Sequence, residues 1–131
     1  MPLPHASKRI LVIGLAGHAP GSIKPPPAAQ PKGSFRKMLQ ETVTSAKEYG
    51  LALEMMQVKA SAFPSALNDI KAKLQSQPHG LLIGNGIRGT AEYTVFFEDL
   101  VNACREITPG TRMGFNTSPG DILESCLRNF T

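Results

Sequence analysis

The sequence predicts an α/β domain in which helices wind a four-stranded parallel sheet on both faces, a doubly wound three-layer sandwich. Two apolar runs, residues 10–13 and 81–83, do not alternate with polar residues, which marks strands covered on both faces. Each closes on a glycine, Gly14 and Gly84. Stretches with apolar residues at three- and four-residue spacing fill the gaps between strand-like runs. The resulting order, β-α-β-α-β-α-β-α, is that of a parallel sheet built through right-handed crossovers.

The elements follow in order. After the first strand, Ser34 stands as an N-cap before Phe35, Met38, Leu39, Val43, Ala46 and Tyr49, and Gly50 takes the place of a C-terminal glycine cap. Residues 51–58 mix polar with apolar side chains, as an edge strand does. Phe63, Leu67, Ile70 and Leu74 then mark a helix, with Pro78 just beyond it. The third strand is followed by the clearest stripe in the chain, Tyr93, Phe96, Phe97, Leu100, Cys104 and Ile107. Residues 111–115 form a second mixed strand. Ser118-Pro119 opens a last helix carrying Ile122, Leu123, Cys126, Leu127 and Phe130. With the most apolar strands in the middle, the expected strand order is 2-1-3-4. Residues 15–33 hold five prolines and no periodicity, a loop excursion from an otherwise single domain spanning 1–131.

Composition narrows the class. The 131 residues are 41% hydrophobic and 18% charged, an ordinary globular balance. No apolar run nears the roughly 18 residues that span a bilayer, and the N-terminal charges follow the prolines, unlike a secretory signal. Cys104 and Cys126 fall on helical apolar stripes and read as core residues, so a reducing, cytoplasmic location is expected. The net charge is +4. Lys8, Arg9, Lys24, Lys32, Arg36 and Lys37 fall in the first 40 residues, which hold no acid. Such a front end suits an anionic small molecule. With only Phe35 nearby to stack on bases, nucleic acid is not the expected partner.

In open α/β sheets, ligands bind beyond the carboxyl ends of the strands where the strand order reverses. Here that point lies between the first and third strands, and three loops face it. Gly84-Asn85-Gly86-Ile87-Arg88-Gly89 reads G-x-G-x-x-G. Its glycines admit a phosphate to the backbone, and a helix start offers N–H groups. It sits in the third βα unit, however, and the next strand ends in Phe115-Asn116-Thr117 with no acid for a ribose. A tight strand-to-helix turn explains the same glycines. Arg88 is suited to fork onto a carboxylate or phosphate, or else to cap a carbonyl or pair with Asp121. Asn116 and Thr117 are placed to hydrogen-bond a ligand. Ser118 shares their loop, although Ser118, Pro119 and Asp121 also spell a capped helix start. His18, shortly after the first strand, is the histidine placed for acid–base chemistry. His79 precedes the third strand at the opposite edge. No residue set is spaced for a metal, and no G-x-S-x-G elbow occurs.

The segments 83–88 (IGNGIR) and 115–121 (FNTSPGD), with Phe97-Glu98 behind the first, resemble a group of short, mostly uncharacterised bacterial and fungal proteins with a Rossmann-like fold. The resemblance covers residues 80–128 and implies a Rossmann/flavodoxin-like sheet with these two loops as its signature. It brings no reaction or cofactor. The expected function is binding of a phosphorylated or carboxylated metabolite at the strand ends. If the protein is an enzyme, it is expected to be a lyase, isomerase or hydrolase rather than an oxidoreductase. A nucleotide- or dinucleotide-binding module is one alternative. The other is a non-catalytic interaction protein or homo-oligomer joined through the Phe96/Phe97 helix.

Overall fold

The side chains of residues 10–13 and 81–83 are at most 3% exposed, because both runs lie in the middle of the sheet. Strands β1 (Lys8–Leu15) and β3 (Gly80–Ile83) pair in parallel, with Ile10 opposite Gly80 and Ile13 opposite Ile83. The structure, a computed structural model, describes residues 7–16 and 34–131. The two mixed strands take the edges, where one side of the ladder faces water. β2 (Leu51–Val58) pairs with β1, and β4 (Arg112–Phe115) pairs with β3. The order is β2-β1-β3-β4, all parallel, as the sequence predicts.

Alternation along the strands divides the core in two. Ile10, Val12, Leu53 and Leu82 face α1 (Ser34–Lys47) and α5 (Ile122–Phe130), where Leu39, Ala46, Cys126 and Phe130 complete the packing. Leu11, Ile13, Leu81 and Ile83 face α2 (Phe63–Leu74) and α4 (Thr94–Ile107). Each fully buried side chain of this kind contributes ~1.5–3 kcal/mol. Phe63 stacks on Phe96 with ring centroids 3.9 Å apart, joining α2 to α4. Cys104 and Cys126 are buried and free. Desolvation raises both thiols, that of Cys126 to about 11, so they remain neutral core groups. Gly50, in the turn after α1, has φ +76°, which glycine adopts without strain.

The structure departs from the sequence reading after β3. The G-x-G-x-x-G segment does not lead straight into the long helix. It forms a single turn, α3 (Asn85–Arg88), followed by a 3-10 turn at Ala91–Tyr93 before α4 begins. Two local contacts stop α3. The Thr90 hydroxyl donates to the Gly86 carbonyl at 2.6 Å. Gly89 lets the Asn85 carbonyl and side chain close in, within 3.0 Å and 2.6 Å of where a Cβ would stand.

Gly80 tests the packing of α5 on the sheet. A Cβ there would lie 2.5–2.8 Å from the Phe130 ring. Gly80→Ala is therefore expected to destabilise the domain by ~1–3 kcal/mol through overpacking. Urea unfolding should show a lower midpoint with an unchanged slope.

Candidate functional site

The pleat that sorts the core also composes the site. One residue beyond the buried core, the positions facing α1 and α5 are Gln57, Gly14, Gly84 and Asn116, in strand order across the sheet. Gly14 lies opposite Gln57. Gly84 follows Ile83 and donates its N–H to the Ile13 carbonyl at 2.9 Å. Asn116 follows Phe115, the partner of Ile83. The two outer residues fold inward. Gln57 Nε2 lies 2.8 Å from where a Cβ of Gly14 would stand, and Asn116 Oδ1 lies 3.8 Å from the same point at Gly84. Gly14 thus makes room for the Gln57 carboxamide, and Gly84 leaves bare backbone between it and Asn116. Four strands at about 4.8 Å spacing make the row about 14 Å long. A cleft of about 240 Å³ opens over it, walled by Phe35 and Leu39 of α1 and by Ile122 of α5.

Asn116 is the decisive residue. It is only 4% exposed. Its Nδ2 donates to the Ser118 carbonyl at 2.9 Å, which fixes the orientation of the amide. Its Oδ1 then has no hydrogen-bond donor among the described residues. A buried acceptor left unpaired costs ~1–3 kcal/mol, and such groups are few in folded proteins.

Of the residues predicted from sequence, Gly84, Asn85, Gly86, Asn116, Thr117 and Ser118 line the cleft, whereas Arg88 and Gly89 do not. Within α3, the N–H groups of Ile87 and Arg88 donate to the Gly84 carbonyl, and that of Gly89 donates to Asn85 at 2.7 Å. The N–H groups of Asn85 and Gly86 have no acceptor among the described residues. Arg88 turns to the other face of the sheet. Its guanidinium carbon lies 5.4 Å from the Phe115 ring centre, and Nη2 donates to the Asn116 carbonyl at 3.3 Å. It caps a carbonyl and braces the Asn116 loop from behind. Its Nε is buried without an acceptor among the described residues.

The loop after β4 is closed by Asp121. The carboxylate accepts the Thr117 N–H at 3.1 Å, the Ser118 N–H at 3.0 Å and the Thr117 hydroxyl. Ser118, Pro119 and Asp121 form the capping box read from the sequence. Partial desolvation pushes the Asp121 carboxyl up. The bonds from Thr117 and Ser118, with the charge of Arg128, together outweigh it and hold the group below the usual carboxylate range. Thr117 and Ser118 therefore serve the loop first, and they line the cleft beside Asn116.

His18, like the rest of residues 17–33, lies outside the described residues. His79 is exposed before β3, at the amino edge, as expected. Phe96 is buried on Phe63, and Phe97 packs against Phe115 with centroids 5.9 Å apart, so α4 presents Val95 to solvent rather than an aromatic face. The sequence reading passed over Gln57, Phe35 and the room that Gly14 leaves for the Gln57 amide. Gln57 was within reach of it, since strand order 2-1-3-4 sets the end of the second strand beside Gly14.

None of the described side chains lining the cleft is charged. Among the described residues no cluster of metal-binding side chains occurs, and no helix is long and apolar enough to cross a membrane. A larger hollow of about 420 Å³ lies along β1, β2 and the end of α2. Its polar groups are already paired: Arg9 with Ser76, and Lys73 with Glu54. No family model, curated protein or solved structure matches the chain.

Two substitutions test this geometry. Asn116→Ala removes one hydrogen bond and one unpaired acceptor, effects of opposite sign and similar size, so stability should change by less than about 1 kcal/mol. Asp121→Ala should cost ~0.5–2 kcal/mol at neutral pH through loss of the cap. Because the folded pKa of Asp121 is lowered, its contribution is present above the unfolded value of about 3.9 and fades as pH falls through the folded one. Chemical denaturation across pH should show the two proteins converging on the acid side only.

Proposed function

We propose that the protein binds a small polar metabolite in the cleft at the carboxyl ends of β1 and β3. The observation that carries this reading is Asn116 Oδ1, buried beside Gly84 at the base of the cleft with no donor among the described residues. Ligand binding at the reversal of strand order is the general behaviour of open α/β sheets. The group seated over Gly84 must supply an N–H or O–H. A deprotonated carboxylate or phosphate oxygen would be repelled there. Any anionic group on the ligand is therefore directed away from Asn116. The described lining holds no ionisable side chain.

Thermal-shift screening against phosphorylated metabolites, small carboxylates, sugars and neutral heterocycles tests the proposal. A ligand at a hundred times its Kd stabilises the folded state by ~2.7 kcal/mol. For a ligand found in this way, Asn116→Ala should weaken binding at least about tenfold, or ~1.4 kcal/mol. Lys73→Met should leave binding nearly unchanged, because Lys73 lies outside the cleft. Equal affinity for wild type and Asn116→Ala would refute the site.

A further inference from the structure

The glycine floor narrows the class of ligand, on the premise that the cleft is a binding site. We propose that its occupant is a planar ring with an amide-type edge, such as a nucleobase presents, lying over Gly84 between the Asn116 carboxamide and the Gln57 carboxamide that covers Gly14.

Gly84 has φ −75° and ψ 158°, a conformation open to any residue, and a Cβ there would meet nothing closer than the Ile13 carbonyl at 3.4 Å. Among the described glycines only Gly50 has positive φ. Gly14 is accounted for by the Gln57 amide packed on it, whereas neither strain nor crowding requires a glycine at position 84. What the missing side chain leaves at Gly84 is room at the base of the cleft, and its shape is that of a flat strand-end backbone. A flat group fits such a floor without leaving gaps.

The hydrogen-bonding groups favour the same shape. Asn116 Oδ1, fixed by the bond from its own Nδ2 to Ser118, is an acceptor in a set place. Gln57, across the row, is exposed and makes no side-chain hydrogen bond among the described residues, so its amide is free to present either its N–H or its carbonyl. A ring carrying N–H beside C=O answers both amides from its rim, while its faces remain apolar. The walls suit those faces. Phe35, 45% exposed, and Leu39 and Ile122 are apolar, and no described side chain around the cleft is charged. At about 240 Å³ the cleft lies below the range that holds drug-sized molecules, and a one- or two-ring heterocycle is the better match.

The experiment is a protein-observed NMR titration of the full chain with uracil and hypoxanthine. Two controls accompany it: 1,3-dimethyluracil, which keeps the ring and carbonyls but has no N–H, and the acyclic compounds lactate and glycerol phosphate. Saturable binding of uracil or hypoxanthine, at least about tenfold tighter than dimethyluracil, is expected. Gly84→Ala should fold with unchanged Tm and lose ring binding by a similar factor, because its methyl group occupies the floor. Dimethyluracil binding as well as uracil, or Gly84→Ala binding rings as well as wild type, would overturn the ring. Binding of the acyclic compounds alone, sensitive to Asn116→Ala, would overturn the ring but leave the cleft a ligand site. Failure of every compound here and throughout the thermal-shift panel would overturn both.

Discussion

The pairing of β1 with β3 is the contact on which the rest of the molecule depends. The two strands are not consecutive, so the chain must leave β1 toward one edge, form β2, and cross back over the sheet to reach β3. Right-handed crossovers then send α1 to one face and α2 to the other. α5 joins α1, and α4 joins α2. The cleft lies where α1 and the α3–α4 segment leave the sheet on opposite sides. Burial enforces this arrangement. Residues 10–13 and 81–83 are covered on both faces, and a slip of one residue would turn each side chain to the wrong layer.

Around that frame the structure spends order on one loop. Residues 116–121 are short and polar, yet they are held from three directions. Asp121 binds two backbone N–H groups from within, Arg88 caps the Asn116 carbonyl from behind, and the Asn116 amide ties itself to Ser118. The result is a carboxamide oxygen held in one place with no donor among the described residues. Whole domains are stable by only ~5–15 kcal/mol. An unpaired buried acceptor is a substantial fraction of that margin, and the two-sided core offsets it. Preorganised groups of this kind lose little freedom when a ligand arrives.

Much of this was legible in the sequence. The uninterrupted apolar runs identified the central strands, the mixed runs identified the edges, and Ser118, Pro119 and Asp121 spelled their cap. The strand order followed from which runs were most apolar, and with it the face on which loops 84–89 and 116–118 meet. Arg88 was harder to read. Its type suggests an anion anchor, but its direction depends on the short α3 turn, set by Thr90 and Gly89 through contacts that no periodicity reveals. Gln57 was missed for a different reason. Within its own strand it is an ordinary exposed residue, and it gains meaning only from its register opposite Gly14. Residue type suggested candidates, while the pleat selected among them.

That register has a further consequence. Gln57, Gly14, Gly84 and Asn116 come from four separate strands that meet only in the assembled sheet. A molecule bridging the two carboxamides would act as a cross-brace over every strand at once, including both edges. Local opening of β2 or β4 would then require the occupant to leave first. Amide hydrogens at the ends of the two edge strands would exchange in step with each other, although these strands share no direct contact. Ligation would convert two independently fraying margins into one cooperative unit.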